Sequence, residues 1–252
     1  MRMPYRFVNV RACTAVALLA AFAALPQAQG PTSKLPPDQL RAGWTPLFDG
    51  QSLEGWRAYR QPDATNTRWA VTGDMLCVVP AAGDATRAAR DIITTRAFDD
   101  FELTWEWRVA PGGNSGLKYL VLEDQNSAIG HEYQLIDDER HPDAKAGPKR
   151  QTAALYDVIA ASNRPLRPAG QFNQSRIVVS GTSVEHWLNG ARVLEYELES
   201  PALADAIAHS KFTPVARFGK RHTAHIVLQD HGDAVCYRNI AIRPGPERPS
   251  AK

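Results

Sequence analysis

The chain has 252 residues, with 29 lysines and arginines against 27 aspartates and glutamates. Three of those arginines, Arg2, Arg6 and Arg11, fall in an N-terminal stretch that holds no acid, so 26 basic residues face 27 acidic ones beyond it. Such near-neutrality gives no ground for nucleic-acid binding, and no later apolar run has the length of a membrane-spanning helix.

The basic start and the apolar run ACTAVALLAAFAAL (12–25) together predict a cleavable secretory signal over 1–28, and therefore a periplasmic or secreted location. The run is too short for a stop-transfer helix, and Cys13 precedes it, unlike the acylated cysteine of a lipoprotein. The stretch 29–42, rich in proline and polar groups, predicts a flexible lead-in, and 245–252 a disordered tail. Between them, 43–244 has the size of one β-sandwich domain.

Periodicity in that domain is mostly two. Short strands are predicted around Trp69–Val71 and Leu76–Val79. FELTWEWRV places Phe101, Leu103, Trp105, Trp107 and Val109 on one face and Glu102, Thr104, Glu106 and Arg108 on the other. GLKYLVL, HEYQLI and SRIVVSG add strands, and TSVEHWLNGARVLEYEL reads as a hairpin turning at Asn189–Gly190. One helix is expected in SPALADAIAHSKF, with Ser200 as N-cap and Pro201 at the first helical position. AHIVLQ and VCYRNIAI complete the set, the latter with a bulge near Arg238–Asn239 where its apolar phase shifts. Many short strands with turn residues between them define an antiparallel sandwich or barrel. Cys77 and Cys236 sit in separate apolar strands, and an exported location permits a disulfide; the alternative is two small core residues.

The densest ionisable cluster is LQDHGD (228–233), at a predicted strand end. Polar groups also recur on the outward parity of several strands, as with Glu132 and Gln134 beside Tyr133 and Leu135. Taken singly these are ordinary solvated residues, and LQDHGD on its own is also an ordinary turn.

The order of motifs resembles a known family. GWTPLFDGQSLEGWR, FELTWEWRV, GGNSGLKY, HEYQLIDD, TAALYD, RIVVSGTSVEHWLNG, SKF and HIVLQDHGDAVCYRNIAIRP occur in succession over about 43–244. This is similar to the domain-of-unknown-function-1080 family, also called the 3-keto-disaccharide hydrolase domain. The resemblance implies an all-β, concanavalin A-like jelly-roll sandwich of two antiparallel sheets. It also implies an exported enzyme that cleaves glycosidic bonds of sugars oxidised at C3. HEYQLIDD stands where many relatives have YEVQILD, and NSGLKY lacks an arginine that often follows there, so that arginine's substrate contact is not carried over.

A ketone at C3 acidifies the C2 proton, so a carboxylate or imidazole suffices to remove it, a second acid protonates the departing oxygen, and donors must face the enolate. His231 is assigned the acid–base role because imidazole titrates near working pH, with Glu132 as partner and Asp230 as orienter or metal ligand. Glu106, Arg108, Asn114, Gln134, Lys211 and Gln229 are the expected sugar and enolate contacts. The expected partner is a small glycoside or oligosaccharide oxidised at C3. A divalent cation is an open possibility, and oxygen-rich ligands would select calcium, magnesium or manganese. Two other readings stand beside this one, a lectin-like sugar-binding module and an ordinary hydrolase using two carboxylates.

Overall fold

Thirteen strands and three short helices follow one another along the chain in a computed structural model that describes Leu35, residues 37–80 and residues 88–245. The signal-like segment, residues 29–34 and Pro36 of the lead-in and the tail beyond Gly245 lie outside the described residues, while the rest of the lead-in holds a short helix where the sequence predicted none. After α1 (Pro37–Arg41) come β1 (Thr45–Pro46), β2 (Trp56–Ala58), β3 (Trp69–Thr72), β4 (Met75–Val78) and β5 (Ile92–Thr94). Three longer strands follow, β6 (Phe101–Val109), β7 (Asn114–Val121) and β8 (His131–Ile136), then α2 (Pro142–Lys145). The chain closes with β9 (Asn173–Ser180), β10 (Ser183–Leu188), β11 (Ala191–Glu197), α3 (Pro201–Ala208), β12 (His225–Leu228) and β13 (Val235–Pro244).

The strands form two antiparallel sheets, a jelly-roll sandwich. The larger runs β11-β10-β9-β6-β13-β4-β3, with β1 added to β13, and the smaller runs β2-β5-β12-β7-β8. Period-two alternation decides which side chains meet between them. Phe101, Leu103, Trp105, Trp107 and Val109 of β6 are buried against Leu117, Tyr133, Leu135, Ile226 and Leu228 of the smaller sheet. Trp105 meets the Tyr133 ring edge to face at 5.1 Å, and Trp107 Nε1 donates to Ser175 Oγ at 2.8 Å. Both tryptophans are core residues.

Local expectations map onto the elements. Asn189 and Gly190, at φ 46° and 86°, supply the two positive-φ positions of the β10–β11 hairpin. The β13 bulge falls between Arg238 and Ala241, with Asn239 at φ 51°. Ser200 caps α3 by accepting from Leu203 N at 3.1 Å, and the helix ends at Ala208, before the SKF segment. Cys77 and Cys236 face each other across β4 and β13 and are joined as a disulfide, which resolves the two alternatives left by the sequence.

A buried polar chain ties the sheets together. Gly219 N donates to His131 Nε2 at 3.0 Å, so the His131 proton sits on Nδ1 and is donated to Tyr196 OH at 2.6 Å. Tyr196 then donates to Tyr119 OH, Tyr119 to His186 Nε2, and His186 Nδ1 to Ala153 O at 2.8 Å. Every member has a donor and an acceptor role filled, so the chain runs in one direction with both histidines neutral. Burial holds the pKa of His131 down at about 3 and that of His186 at about 4. His186 is therefore a structural core histidine.

Candidate active site

The outer face of the smaller sheet divides into an apolar half and a polar half. Ile93, Val121 and Val227 cluster with Ala128 and Tyr59 on the apolar half. On the polar half, register brings Lys118 of β7 opposite Glu132 of β8 and Gly116 opposite Gln134. Alternation turns Asn114, Gly116, Lys118, Glu132 and Gln134 the same way, away from the core-facing Leu117, Tyr133 and Leu135.

Glu132 lies flat across the sheet because position 116 is glycine; a Cβ there would collide with the Glu132 carboxylate. Although it faces outward, Glu132 is only 6% exposed. Burial raises its carboxyl pKa above the ordinary value, and the charges of Lys118 and Lys211 offset that only in part. Lys118 donates from Nζ to Asp91 Oδ2 at 2.8 Å. Burial disfavours its ammonium, but Asp91 and Glu132 outweigh that and hold it charged. Asp91 Oδ1 also accepts from Asp230 N at 3.0 Å, which fastens β12's end to this cluster.

Lys211 arrives from the segment after α3. Its backbone N donates to Asp157 Oδ2 at 2.8 Å, and its ammonium sits 4.1 Å over the Tyr156 ring. Partial desolvation there lowers its pKa despite the attraction of Glu132 and Asp157. Tyr156 is fixed in turn, donating to Asp143 Oδ2 at 2.8 Å, while Arg150 bridges Asp143 and Asp157. The backbone of residues 153–156 runs beside β8, with Ala153 N on Gln134 O and Tyr156 N on Glu132 O.

Asn114, Gln134 and Gln229 complete this face. Gln134 reaches Asn114 Oδ1 at 3.3 Å, and with its amide turned over it donates to Glu132 Oε1 at 3.2 Å. Gln229 N bonds to Gly116 O, while its side-chain Oε1 is buried with no hydrogen-bond partner among the described residues.

Beyond Asn114, the turn after β12 brings His231 and Asp233 to His141, the residue before α2. Ligating atoms of the three lie within 4.8 Å of one another, and Asp233 Oδ2 accepts from Asn114 N at 3.0 Å. The polar face thus runs without a break from Lys118 and Glu132 through Gln134 and Asn114 to the histidines.

Four of the sequence-based assignments need correction. Glu106 and Arg108 do alternate outward on β6, but β6 belongs to the larger sheet, so they lie on the opposite face of the molecule. Glu106 there pairs with Arg238 at 2.7 Å and accepts from Asn239, and Arg108 stacks 5.0 Å from the Phe172 ring centre. Parity identifies a face but not the sheet that owns it. Asp230 is 8% exposed and engaged on both oxygens by Arg68, at 2.9 and 2.7 Å, with further bonds from Arg90 N and Gly232 N. It shapes the turn and has no oxygen left for a metal. His231 is exposed, and the side chains it meets are those of His141 and Asp233.

Sequence reading missed Lys118, Asp91, His141 and Tyr156. Lys118 shares the parity of Asn114 and was legible as an outward residue, but its pairing with Glu132 depends on register. His141 and Asp91 come from loops that only the fold brings to this face.

The chain belongs to the 3-keto-alpha-glucoside-1,2-lyase-like domain family, whose model matches residues 43–243. A Bacteroides thetaiotaomicron protein described as a 3-keto-disaccharide hydrolase is 35% identical over 227 residues, covering 80% of this chain and 78% of that protein. Among solved structures, a provisionally named glycosyl hydrolase of Parabacteroides distasonis superposes with a TM-score of 0.74 at 26% identity, covering 84% of this chain and 98% of that one. A second provisionally named glycosyl hydrolase from the same organism gives a TM-score of 0.58 at 25% identity, covering 80% and 98%.

Proposed function

We propose that this enzyme, which acts on glycosidic bonds, cleaves 3-keto-glycosides and 3-keto-disaccharides after removing the proton at C2. The single observation that carries the reading is Glu132, a buried carboxyl with a raised pKa that stands opposite Lys118 across β7 and β8 and feels the charge of the Lys211 ammonium. That arrangement suits a general base whose product is an oxyanion.

In this reading Glu132 takes the C2 proton, and the C–H electron pair moves toward the C3 ketone to give an enolate. The Lys118 ammonium, kept charged by Asp91, faces the negative charge that develops. Collapse of the enolate expels the C1 substituent, and the departing oxygen takes a proton. Lys211 is suited to give it, because desolvation makes its ammonium more acidic than an ordinary lysine. Water added across the resulting C1–C2 double bond makes the net outcome hydrolysis. Asn114, Gln134 and Gln229 bind sugar hydroxyls, and the Tyr156 ring offers an apolar edge.

Export to the periplasm or beyond is part of the same proposal. The N-terminal signal pattern supports it, and so does the Cys77–Cys236 disulfide, a bond that persists in oxidising compartments.

The test compares a 3-keto-glucoside with its parent glucoside. The proposal expects turnover of the keto sugar alone, abolished in Glu132→Gln. Turnover of the parent glucoside would overturn it in favour of ordinary two-carboxylate hydrolysis. Binding of either sugar without turnover would leave a lectin-like module.

A further inference from the structure

We infer that Arg150 is a positioning residue for the Lys211 ammonium, holding it where it protonates the departing glycosidic oxygen; the inference rests on the function proposed for that lysine. Arg150 acts through two carboxylates. Its Nη1 donates to Asp143 Oδ1 at 2.6 Å and its Nε to Asp157 Oδ1 at 3.1 Å. Each carboxylate gives its second oxygen to one support of Lys211. Asp143 Oδ2 accepts from Tyr156 OH at 2.8 Å, and Asp157 Oδ2 accepts from the backbone N of Lys211 at 2.8 Å. The Lys211 ammonium then lies 4.1 Å from the centre of the Tyr156 ring. One guanidinium thus holds the lysine at both ends, its backbone through Asp157 and its charge through the ring.

The local backbone shows the same dependence. Ala153 and Asp157, at φ 67° and 63°, bracket Tyr156 in the left-handed region, which L residues other than glycine keep only where their surroundings hold them. Ala153 is fastened to the core, since its N donates to Gln134 O and its O accepts from His186 Nδ1. Asp157 N donates to Lys149 O at 2.8 Å, and its side chain is held by Arg150 and the Lys211 backbone. The bend nearer the core needs no help from Arg150, but the bend that carries Lys211 does.

The chemistry requires such a device. A free lysine spreads its ammonium over many rotamers, whereas a general acid must stand within hydrogen-bond reach of the atom it protonates. As the C1–O bond breaks, the proton passes from Lys211 Nζ to the departing oxygen, so the aglycone leaves as a neutral alcohol and the lysine becomes a neutral amine. Burial lowers the Lys211 pKa against the attraction of Glu132 and Asp157, and repulsion from Lys118 and Arg150 adds to that lowering. Arginine suits the hub because its planar fork of donors engages two carboxylates in fixed directions, which the compact ammonium of a lysine does not.

The experiment compares two 3-keto-glucosides, one with a nitrophenyl and one with a methyl aglycone. Nitrophenolate departs without a proton, whereas methoxide does not. Lys211→Met should lose about 10²–10⁴-fold in kcat on the methyl substrate and far less on the nitrophenyl one. Arg150→Met should show the same selectivity at about 10–100-fold on the methyl substrate, the scale of a displacement of roughly 1 Å, with KM little changed. Arg150→Lys should recover part of that loss. Because Arg150 acts through Lys211, adding Arg150→Met to Lys211→Met should change kcat by less than about twofold. Turnover of the nitrophenyl substrate by each variant reports that the chain is folded. Equal losses on both substrates in Arg150→Met, no loss on either, or additive losses in the double variant would each overturn the inference. Selectivity in Lys211→Met without selectivity in Arg150→Met would overturn it alone and leave the proposed function standing. Lys211→Met without selectivity would overturn the lysine as the acid, and the role of Arg150 with it.

Discussion

The two outer faces of the sandwich use similar residues to opposite ends. On the larger sheet, Glu102 pairs with Arg176 and Arg243, and Glu106 with Arg238. The guanidiniums of Arg238, Arg176 and Arg243 lie over the rings of Phe172, Trp187 and Trp44. Both of those carboxylates are matched by guanidinium within their own sheet. On the smaller sheet, Lys118 is matched by Asp91, and Glu132 sits buried beside it without an ion-pair partner of its own among the described residues. Paired charge on the larger sheet serves the scaffold, and the buried carboxyl on the smaller one is where the proposed proton transfer is assigned.

Substitutions can break that contrast. Glu132→Gln keeps the shape and removes the base, and should lower kcat on a 3-keto-glucoside by about 10²–10⁴-fold, read from steady-state kinetics. Reducing the Cys77–Cys236 disulfide should lower unfolding free energy by about 2–4 kcal/mol, measured by urea denaturation with and without reductant.

The buried histidines set the next effect. Their folded pKa values, about 3 and about 4, lie below the unfolded value near 6.5. The unfolded chain therefore binds more protons between those limits, and stability is full above about pH 6.5 and falls as pH drops below it. Each histidine contributes a slope of up to about 1.4 kcal/mol per pH unit, checked by urea midpoints from pH 7 to 4.5. Glu132 acts with the opposite sign, since its raised pKa favours the folded state as pH falls, so Glu132→Gln should steepen the curve. Smallest of all is Glu106→Gln on the other face. It should cost about 0–1 kcal/mol and leave kcat unchanged, because a partly exposed surface pair contributes little.

Much of the fold was legible in the sequence. Period-two strands, the Asn189–Gly190 hairpin, the Ser200–Pro201 helix start and the β13 bulge each depend on local chemistry that a sequence displays. The site was legible only in part. Glu132, Gln134, Asn114, Gln229 and Lys211 lie on or against one sheet face, and alternation had marked the first two as outward. Glu106 and Arg108 carry the same alternation on the other sheet, and no local pattern distinguishes the two. LQDHGD divides its labour: Asp230 is spent on Arg68, while His231 and Asp233 meet His141, ninety residues earlier in the chain. Such partnerships depend on strand register and loop packing, which are properties of the whole fold.

The most direct measurement of the central claim uses a 3-keto-glucoside labelled with deuterium at C2. If Glu132 removes that hydrogen before the glycosidic bond breaks, the released sugar or enone will have lost its label, and Glu132→Gln will neither release the label nor cleave the bond. Cleavage with the C2 label fully retained would show that the bond breaks without proton abstraction and would contradict the account.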